Sequence, residues 1–183
     1  TGVLMNPVIV VATFALILFL AERRWPSVAL PQRAGWWARM ALLNLAQVGV
    51  VYLGAATWDR VLPEARLWDA APLGTPIGIV LGYLAITFVY YWWHRARHES
   101  RLLWRYLHQV HHSAARIEVL TSFYKHPLEI AINGVLSSAI LYVLVGLPPE
   151  TAAMVITLTG VAELIYHSNL RTPYWLGFLF QRP

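Results

Sequence analysis

The sequence of 183 residues contains no cysteine. This absence excludes disulfide bonds, cysteine-ligated zinc ribbons, iron–sulfur clusters and thiol nucleophiles. The sequence also lacks a Gly-x-Gly-x-x-Gly dinucleotide fingerprint. Electrons for any redox reaction would therefore have to come from a partner protein.

Charged residues are scarce as well, since they make up 13% of the chain, whereas 58% of it is hydrophobic and the mean hydropathy is +0.52. Soluble domains carry about 25% charged residues. So little polar surface cannot coat a globule in water, and we expect residues 1–183 to form one integral membrane domain. The sequence starts at Thr1 and stops at Pro183, and we expect it to be incomplete at the C-terminus.

Long apolar runs take the place of the missing charge. A transmembrane helix needs about 20 mostly apolar residues. The stretches that meet or approach this length are residues 3–20, 37–58, 75–93, 128–147 and 151–166. They predict an all-α integral membrane protein built as a bundle of four to five transmembrane helices. Pro148 and Pro149 interrupt the pattern between the last two stretches, which predicts a transmembrane hairpin there.

The basic residues indicate how this bundle is oriented. The formal net charge is +5. If the five stretches cross the membrane in alternating directions, every Lys and Arg except Arg60 and Arg66 falls on one side. That side is predicted to be cytoplasmic by the positive-inside rule, so the first span starts from the opposite side. The basic excess is thus a topology signal, and we expect no nucleic-acid partner. Segment 94–127 is the only sizeable polar region, and we expect it to form a histidine-rich helical cap on the cytoplasmic side.

Histidines mark the candidate site. All seven lie in the second half of the chain: His94, His98, His108, His111, His112, His126 and His167. His94 and His98 are four residues apart, so one helical face carries both rings. His108, His111 and His112 form a second box on neighbouring parts of one face. Neutral imidazole suits zinc, copper, iron and nickel, and five rings exceed the needs of one tetrahedral ion, which favours a two-metal site.

Other metal chemistries fit these boxes less well. A haem held by two histidines between spans is poorly compatible with clustering at one membrane edge. The His-Glu-x-x-His motif of zincins is absent. The Glu-x-x-His pairs of carboxylate-rich di-iron bundles are absent too.

The fifth apolar stretch adds a histidine and a carboxylate. His167 ends this stretch on the same predicted face as the two boxes. Glu163 lies one turn earlier, and a carboxylate in an apolar span predicts a functional role because its burial is costly. It could bind a metal or orient the imidazole of His167. Asn169 and His126 are weaker candidates, because such residues more often cap a helix or satisfy a local hydrogen bond.

These motifs resemble the sterol desaturase and fatty acid hydroxylase superfamily, whose members are membrane-bound, histidine-box, non-haem di-iron oxygenases. The resemblance covers roughly residues 91–183. It rests on His94-x-x-x-His98, His108-x-x-His111-His112, His126-Pro127-Leu128-Glu129 and His167-Ser168-Asn169.

The resemblance implies a set of iron ligands. The histidines in this set are His94, His98, His108, His111, His112 and His167. Glu163, His126 and Asn169 stay candidates for a ligand or supporting role. The family has a further His-x-x-His-His box, and the sequence stops before the place where that box would occur.

The resemblance also implies the reaction. Two iron ions, which zinc could replace in a preparation, would use dioxygen to hydroxylate or desaturate a lipid such as a sterol or a fatty acyl chain. The electron donor would be a ferredoxin or a cytochrome b5 with its reductase, and the arginine-rich face could attract an acidic donor. One alternative is a non-catalytic accessory or structural subunit of a larger membrane complex that keeps the hydroxylase-like fold. Another is a single-zinc membrane hydrolase, which would not depend on dioxygen.

Overall fold

The computed structural model describes residues 6–171, 173 and 175. The described residues are helical, apart from loops and one isolated backbone bridge between Pro26 and Leu170. The α-helices are α1 (Pro7–Arg24), α2 (Trp36–Ala56), α3 (Trp58–Val61), α4 (Thr75–Glu99), α5 (Arg101–Leu103), α6 (Gln109–His112), α7 (Pro127–Ser138) and α8 (Pro149–His167). Short 3₁₀ turns cover Leu62–Ala65, Ala71–Leu73 and Val119–Phe123, and π-helical turns cover Trp104–His108 and Ala139–Leu144.

Proline fixes where several of the long helices begin. A proline lies in the first turn of α1, α4, α7 and α8. Its missing N–H costs nothing there, because the first amides of a helix have no partner within the helix. Asn6 also caps α1, since its Oδ1 accepts a hydrogen bond of 2.9 Å from the Val8 amide.

Helices lie in all five predicted spans, although residues 3–5 of the first span lie outside the described residues. Among the described residues, three helical stretches are long and apolar enough to cross a membrane, namely Trp36–Ala65, Thr75–Glu99 and Pro127–Leu144. The first of these joins α2, α3 and the following 3₁₀ turn, and the third joins α7 to its π-helical turn. The count of four to five spans, the cytoplasmic orientation and the position of the cap remain predictions.

The bundle packs in two groups of helices. α8 contacts α1, α4 and the 3₁₀ turn Val119–Phe123, while α2 contacts α7. The main buried apolar cluster includes Ile86 of α4, Leu141 of the second π-helical turn and Val155 of α8. Large apolar side chains such as Leu84 and Phe88 are exposed on the outside, as expected for helices that face lipid rather than water.

The predicted hairpin break lies just before α8. Gly146 adopts a left-handed conformation with φ of 68°, which glycine tolerates because it has no Cβ. Its carbonyl accepts a hydrogen bond of 3.1 Å from the Ala70 amide. The loop after α3 is thereby tied to the turn that reverses the chain into α8.

Candidate metal centre

The C-terminal end of α4 carries the first histidine pair. This helix continues past the predicted end of the third span at residue 93 and ends at Glu99. His94 and His98 therefore lie one turn apart on the same helix, with their Nε2 atoms 2.9 Å apart. As the four-residue spacing predicts, one face of α4 carries both imidazole rings.

The second box lies on a helix that contains an irregular turn. In the π-helical stretch Trp104–His108, the amide of Gln109 donates to the carbonyl of Trp104, five residues back. π-turns of this kind recur at functional sites, because they change which face of the helix the following residues occupy. The Nε2 atoms of His108 and His112 lie 3.1 Å apart.

The two boxes meet in what we call the four-histidine group. It consists of His94, His98, His108 and His112, each of which offers a ring nitrogen within 4.8 Å of the others. His108 is fully buried, and the other three are exposed on one side. The Trp104 ring covers part of this group, with its centroid 5.4 Å from the ring of His98 and 5.1 Å from that of His112.

The remaining two predicted histidine ligands form a separate pair next to this group. The Nε2 atoms of His111 and His167 lie 3.3 Å apart, although the two residues are 56 positions apart in sequence. The His111 ring is 5.4 Å from that of His108 and 5.3 Å from that of His112. The structure therefore brings together all six histidines of the predicted ligand set.

Backbone carbonyls fix the protonation of the His111–His167 pair. His111 Nδ1 lies 3.2 Å from the Tyr124 carbonyl oxygen, and His167 Nδ1 lies 2.9 Å from that of Glu163. A carbonyl can only accept a hydrogen bond, so each Nδ1 carries the proton. In the neutral rings both Nε2 lone pairs then face each other at 3.3 Å, an arrangement that a cation between them stabilises.

Burial keeps the second box in its neutral form. It lowers the pKa of His111 to about 3, with the nearby Lys125 ammonium adding to the effect. It lowers the pKa of His108 to about 2, helped by the guanidinium of Arg97. Burial and the neighbouring His98 also lower the pKa of His112. These rings are therefore neutral at pH 7, which is the form that binds metal ions.

Glu163 lies beside the pair, but its carboxylate has another partner. Its Oε1 accepts a hydrogen bond of 2.6 Å from Lys125 Nζ, which makes a partly buried ion pair. The contact to His167 comes from the backbone carbonyl of Glu163 instead. A ligand role for the Glu163 carboxylate stays a prediction.

His126 and Asn169 form hydrogen bonds with backbone groups outside the four-histidine group. His126 Nδ1 accepts from the Leu128 amide at 3.1 Å and so caps α7. The Asn169 side chain bonds the backbone of Val28, accepting from its amide at 3.1 Å and donating to its carbonyl at 2.9 Å. Supporting roles for both residues at a metal site stay predictions.

Three buried carboxylates near the site were missed as candidates. Glu129 contacts the Arg97 guanidinium, and its Oε1 lies 3.1 Å from His108 Nδ1. Glu118 contacts the guanidinium of Arg23 and accepts from Arg116 Nε at 2.8 Å. The third is Glu22, which is 2% exposed. The only sequence signal was the position of Glu129 within the His-Pro-Leu-Glu stretch.

Glu22 joins three segments through backbone amides. Its carboxylate accepts from the Val119 amide at 3.0 Å and from the Asn169 amide at 2.9 Å. This fixes the end of α1 to the loop before Tyr124 and to the residues just after His167. Both backbone segments that orient the His111–His167 pair are therefore attached to α1.

The donor set fits a first-row transition metal such as iron. Two nitrogens bound to one such ion at about 2.0–2.1 Å lie about 2.9–3.4 Å apart at tetrahedral or octahedral angles. The three Nε2–Nε2 distances are 2.9, 3.1 and 3.3 Å. Neutral imidazoles suit iron and zinc, whereas calcium and magnesium prefer oxygen ligands.

Several curated proteins are similar to this chain over part of their length. It is 40% identical over 95 residues to a putative methylsterol monooxygenase of Dictyostelium discoideum, which covers 50% of this chain and 34% of that protein. It is 29% identical over 84 residues to a sphingolipid C4-hydroxylase of Schizosaccharomyces pombe, covering 46% and 29% respectively. It is 45% identical over 56 residues to a very-long-chain aldehyde decarbonylase of Oryza sativa, covering 30% and 21%.

The chain thus spans about a third or less of the length of these curated relatives. No solved structure matches it significantly. The sequence model of the fatty acid hydroxylase family matches residues 79–183, which is more than half of the chain and includes all seven histidines. The chain therefore belongs to the fatty acid hydroxylase family.

Proposed function

We propose that this chain is the metal-binding membrane domain of a non-haem di-iron oxygenase that hydroxylates or desaturates a lipid with dioxygen. The observation that carries the proposal is the convergence of six histidines into two adjacent groups at the end of an apolar helix bundle. Four ring nitrogens lie within 4.8 Å of one another in the first group, and two more face each other at 3.3 Å in the second.

Each group would hold one metal ion. The four-histidine group would bind the first iron. His111 and His167 would contribute to the second, and Glu163 is a further candidate ligand if it exchanges Lys125 for the metal. Iron bound there supplies the activation of dioxygen and the attack on an unactivated C–H bond, which amino acid side chains cannot carry out.

The protein supplies pre-organised ligands. Burial keeps the second-box imidazoles neutral at pH 7, and the carbonyls of Tyr124 and Glu163 fix which nitrogen points into the site. Since the hydrogen bonds are already formed, the rings lose little freedom when they bind metal. Only the side of the site at His108 is buried, whereas His94, His98 and His112 are exposed.

The position of the site favours a lipid substrate. The first histidine pair lies at the end of α4, directly after the apolar part of a candidate membrane span. A substrate that keeps its apolar part among the helices could therefore place a carbon next to the histidines without leaving the bilayer. The names of the relatives point to sterols, sphingolipids and long-chain aldehydes, so we propose a sterol, a fatty acyl chain or a related lipid.

The reaction also requires an electron donor on the side of the membrane where the histidines lie. Reduction of dioxygen needs an external donor, and we propose a small acidic redox protein such as a ferredoxin or a cytochrome b5 with its reductase. Arg95, Arg101 and Arg105 are exposed near the four-histidine group and could attract such a donor. This requires the histidine-bearing side to face the cytoplasm, which a protease-accessibility assay on sealed vesicles would test.

The central experiment measures metal and product together in the full-length protein. We expect about two irons per chain and incorporation of ¹⁸O from ¹⁸O₂ into a lipid, or a new double bond that forms only with dioxygen. His108→Ala and His111→Ala should each lower the iron content, whereas Gln109→Ala, at an exposed residue between the two, should leave it unchanged. A wild-type protein that binds no metal would refute the oxygenase and favour the accessory subunit. Active protein that holds zinc and ignores dioxygen would favour the hydrolase.

A further inference from the structure

We propose that Glu129 is a positioning residue of the metal centre, which orients His108 and is itself held by Arg97. The inference rests on the proposed function only in requiring a metal ion at the four-histidine group. It extends the site to two charged residues outside the histidine ligand set.

One carboxylate oxygen of Glu129 contacts both Arg97 and His108. Glu129 Oε1 contacts the guanidinium of Arg97 and lies 3.1 Å from His108 Nδ1. All three side chains are buried. Arg97 favours the ionised carboxylate, which can only accept hydrogen bonds, so the proton of His108 lies on Nδ1. The Nε2 lone pair of His108 then points toward Nε2 of His112, 3.1 Å away.

Stability alone is a poor explanation for this arrangement. The attraction within a buried ion pair offsets little more than the free energy that it costs to remove both charges from water. Apolar residues of similar size are often as stabilising. In addition, Glu129 Oε2 is buried and has no hydrogen-bond partner among the described residues. An unsatisfied buried oxygen is costly, so the carboxylate is better explained by what its other oxygen does for His108.

Hydrogen bonds between α4 and α7 hold the Glu129 carboxylate next to His108. One turn beyond Glu129, the side-chain oxygen of Asn133 accepts from Trp93 Nε1 at 2.9 Å. The Tyr90 hydroxyl donates to the Asn133 carbonyl at 2.7 Å and lies 2.8 Å from Ser137 Oγ. These contacts fix the position of α7 along α4. Within this row of polar residues on α7, Glu129 lies nearest the histidines.

The test separates positioning from folding with three variants of the full-length protein in detergent. Glu129→Gln keeps the size of the side chain and an acceptor for His108 but removes the negative charge. Arg97→Gln combined with Glu129→Gln removes both buried charges. Glu118→Gln is the matched control, because Glu118 is equally buried and pairs with Arg23 and Arg116 but contacts no histidine. Cobalt(II) titration followed by its ligand-field spectrum gives the affinity, and thermal unfolding of the metal-free protein gives the stability.

We expect the cobalt Kd to rise about 10- to 100-fold in Glu129→Gln. The double variant should regain thermal stability, because no charge is left unpaired, but it should not regain affinity. Glu118→Gln should unfold at a lower temperature and still bind cobalt like the wild type. The proposal is overturned if Glu129→Gln binds cobalt as tightly as the wild type, if the double variant regains affinity, or if Glu118→Gln loses it equally.

These outcomes are independent of the proposed reaction. If the wild type oxidises a lipid and Glu129→Gln keeps full cobalt affinity, the positioning role fails and the oxygenase stands. If Glu129→Gln loses affinity but the wild type oxidises no lipid, the positioning role stands and the oxygenase fails.

Discussion

The close approach of α4 to α8 at Gly82 allows a quantitative prediction. A Cβ atom at position 82 would lie 2.7 Å from Cδ1 of Leu147 and 2.9 Å from Cγ2 of Val155. Ordinary contacts of a Cβ atom begin near 3.4 Å. Gly82→Ala must therefore move these two side chains by roughly 0.5–0.7 Å, in a cluster whose other members are also buried and close-packed.

Two opposing effects set the magnitude. Overpacking a well-packed core costs about 1–3 kcal/mol. Replacing glycine by alanine in a helix returns about 0.5–1 kcal/mol. The free energy of unfolding should therefore fall by about 0–2.5 kcal/mol in Gly82→Ala, with a central value near 1 kcal/mol. Since α4 carries His94 and His98 while α8 carries His167, the same displacement should also weaken metal binding.

Thermal unfolding of the full-length protein in detergent, scored against Gly49→Ala, tests this reasoning. Gly49 lies within α2, and a Cβ there would meet nothing within 4 Å. Gly49→Ala should therefore keep or raise the unfolding temperature, whereas Gly82→Ala should lower it. If Gly82→Ala is as stable as Gly49→Ala, the close approach of α4 to α8 is not a packing constraint.

Two further predictions concern the connections between the helices. Gly146→Ala should abolish the folded protein in fluorescence-detected size exclusion, because its Cβ would lie 1.7 Å from the Trp68 carbonyl oxygen. Gly74→Ala has a similarly positive φ but open space around the Cβ, so it should cost only the backbone strain of about 1–3 kcal/mol. Glu22→Gln should destabilise the protein by about 1–3 kcal/mol, because Oε2 accepts from both the Val119 and Asn169 amides and Oε1 lies 3.2 Å from the Val119 nitrogen, so an NH2 group in either place faces a backbone N–H donor. The exposed Glu64→Gln should leave the unfolding temperature unchanged, and equal losses in the two variants would contradict this role of Glu22.

Much of the site could be predicted because it is encoded locally. Apolar runs of about 20 residues gave the positions of the long helices, and α8 differs from its predicted bounds by only a few residues. The pairing of His94 with His98 follows from the helical repeat alone. Alternating spans also predict that His167 lies on the same side as the two boxes, but they do not predict that its partner is His111.

What the sequence left open depends on contacts between distant residues. Glu129 lies 32 positions from Arg97, and Glu22 lies 97 positions from Val119. Hydropathy treats each of these glutamates as an isolated charge, since it contains no information on which partner neutralises it. The π-helical turn before His108 is equally invisible, because its sequence also permits a regular α-helix. Glu163 is a further example. A glutamate in an apolar stretch predicts a functional role, but it does not reveal the ion pair with Lys125, 38 positions away.

The distribution of buried charge explains how an apolar bundle can hold the rings of its histidines in fixed orientations. The buried charged side chains of the described residues are Glu22, Arg97, Arg116, Glu118 and Glu129. Each lies in the histidine-bearing segment or bonds to it directly. Apolar packing resists displacement but does not fix the rotation of a side chain, whereas a hydrogen bond to a buried charge fixes both direction and distance. The bundle therefore supplies stability in the membrane, and two of the charges it buries, Arg97 and Glu129, lie where the direction of an imidazole nitrogen is set.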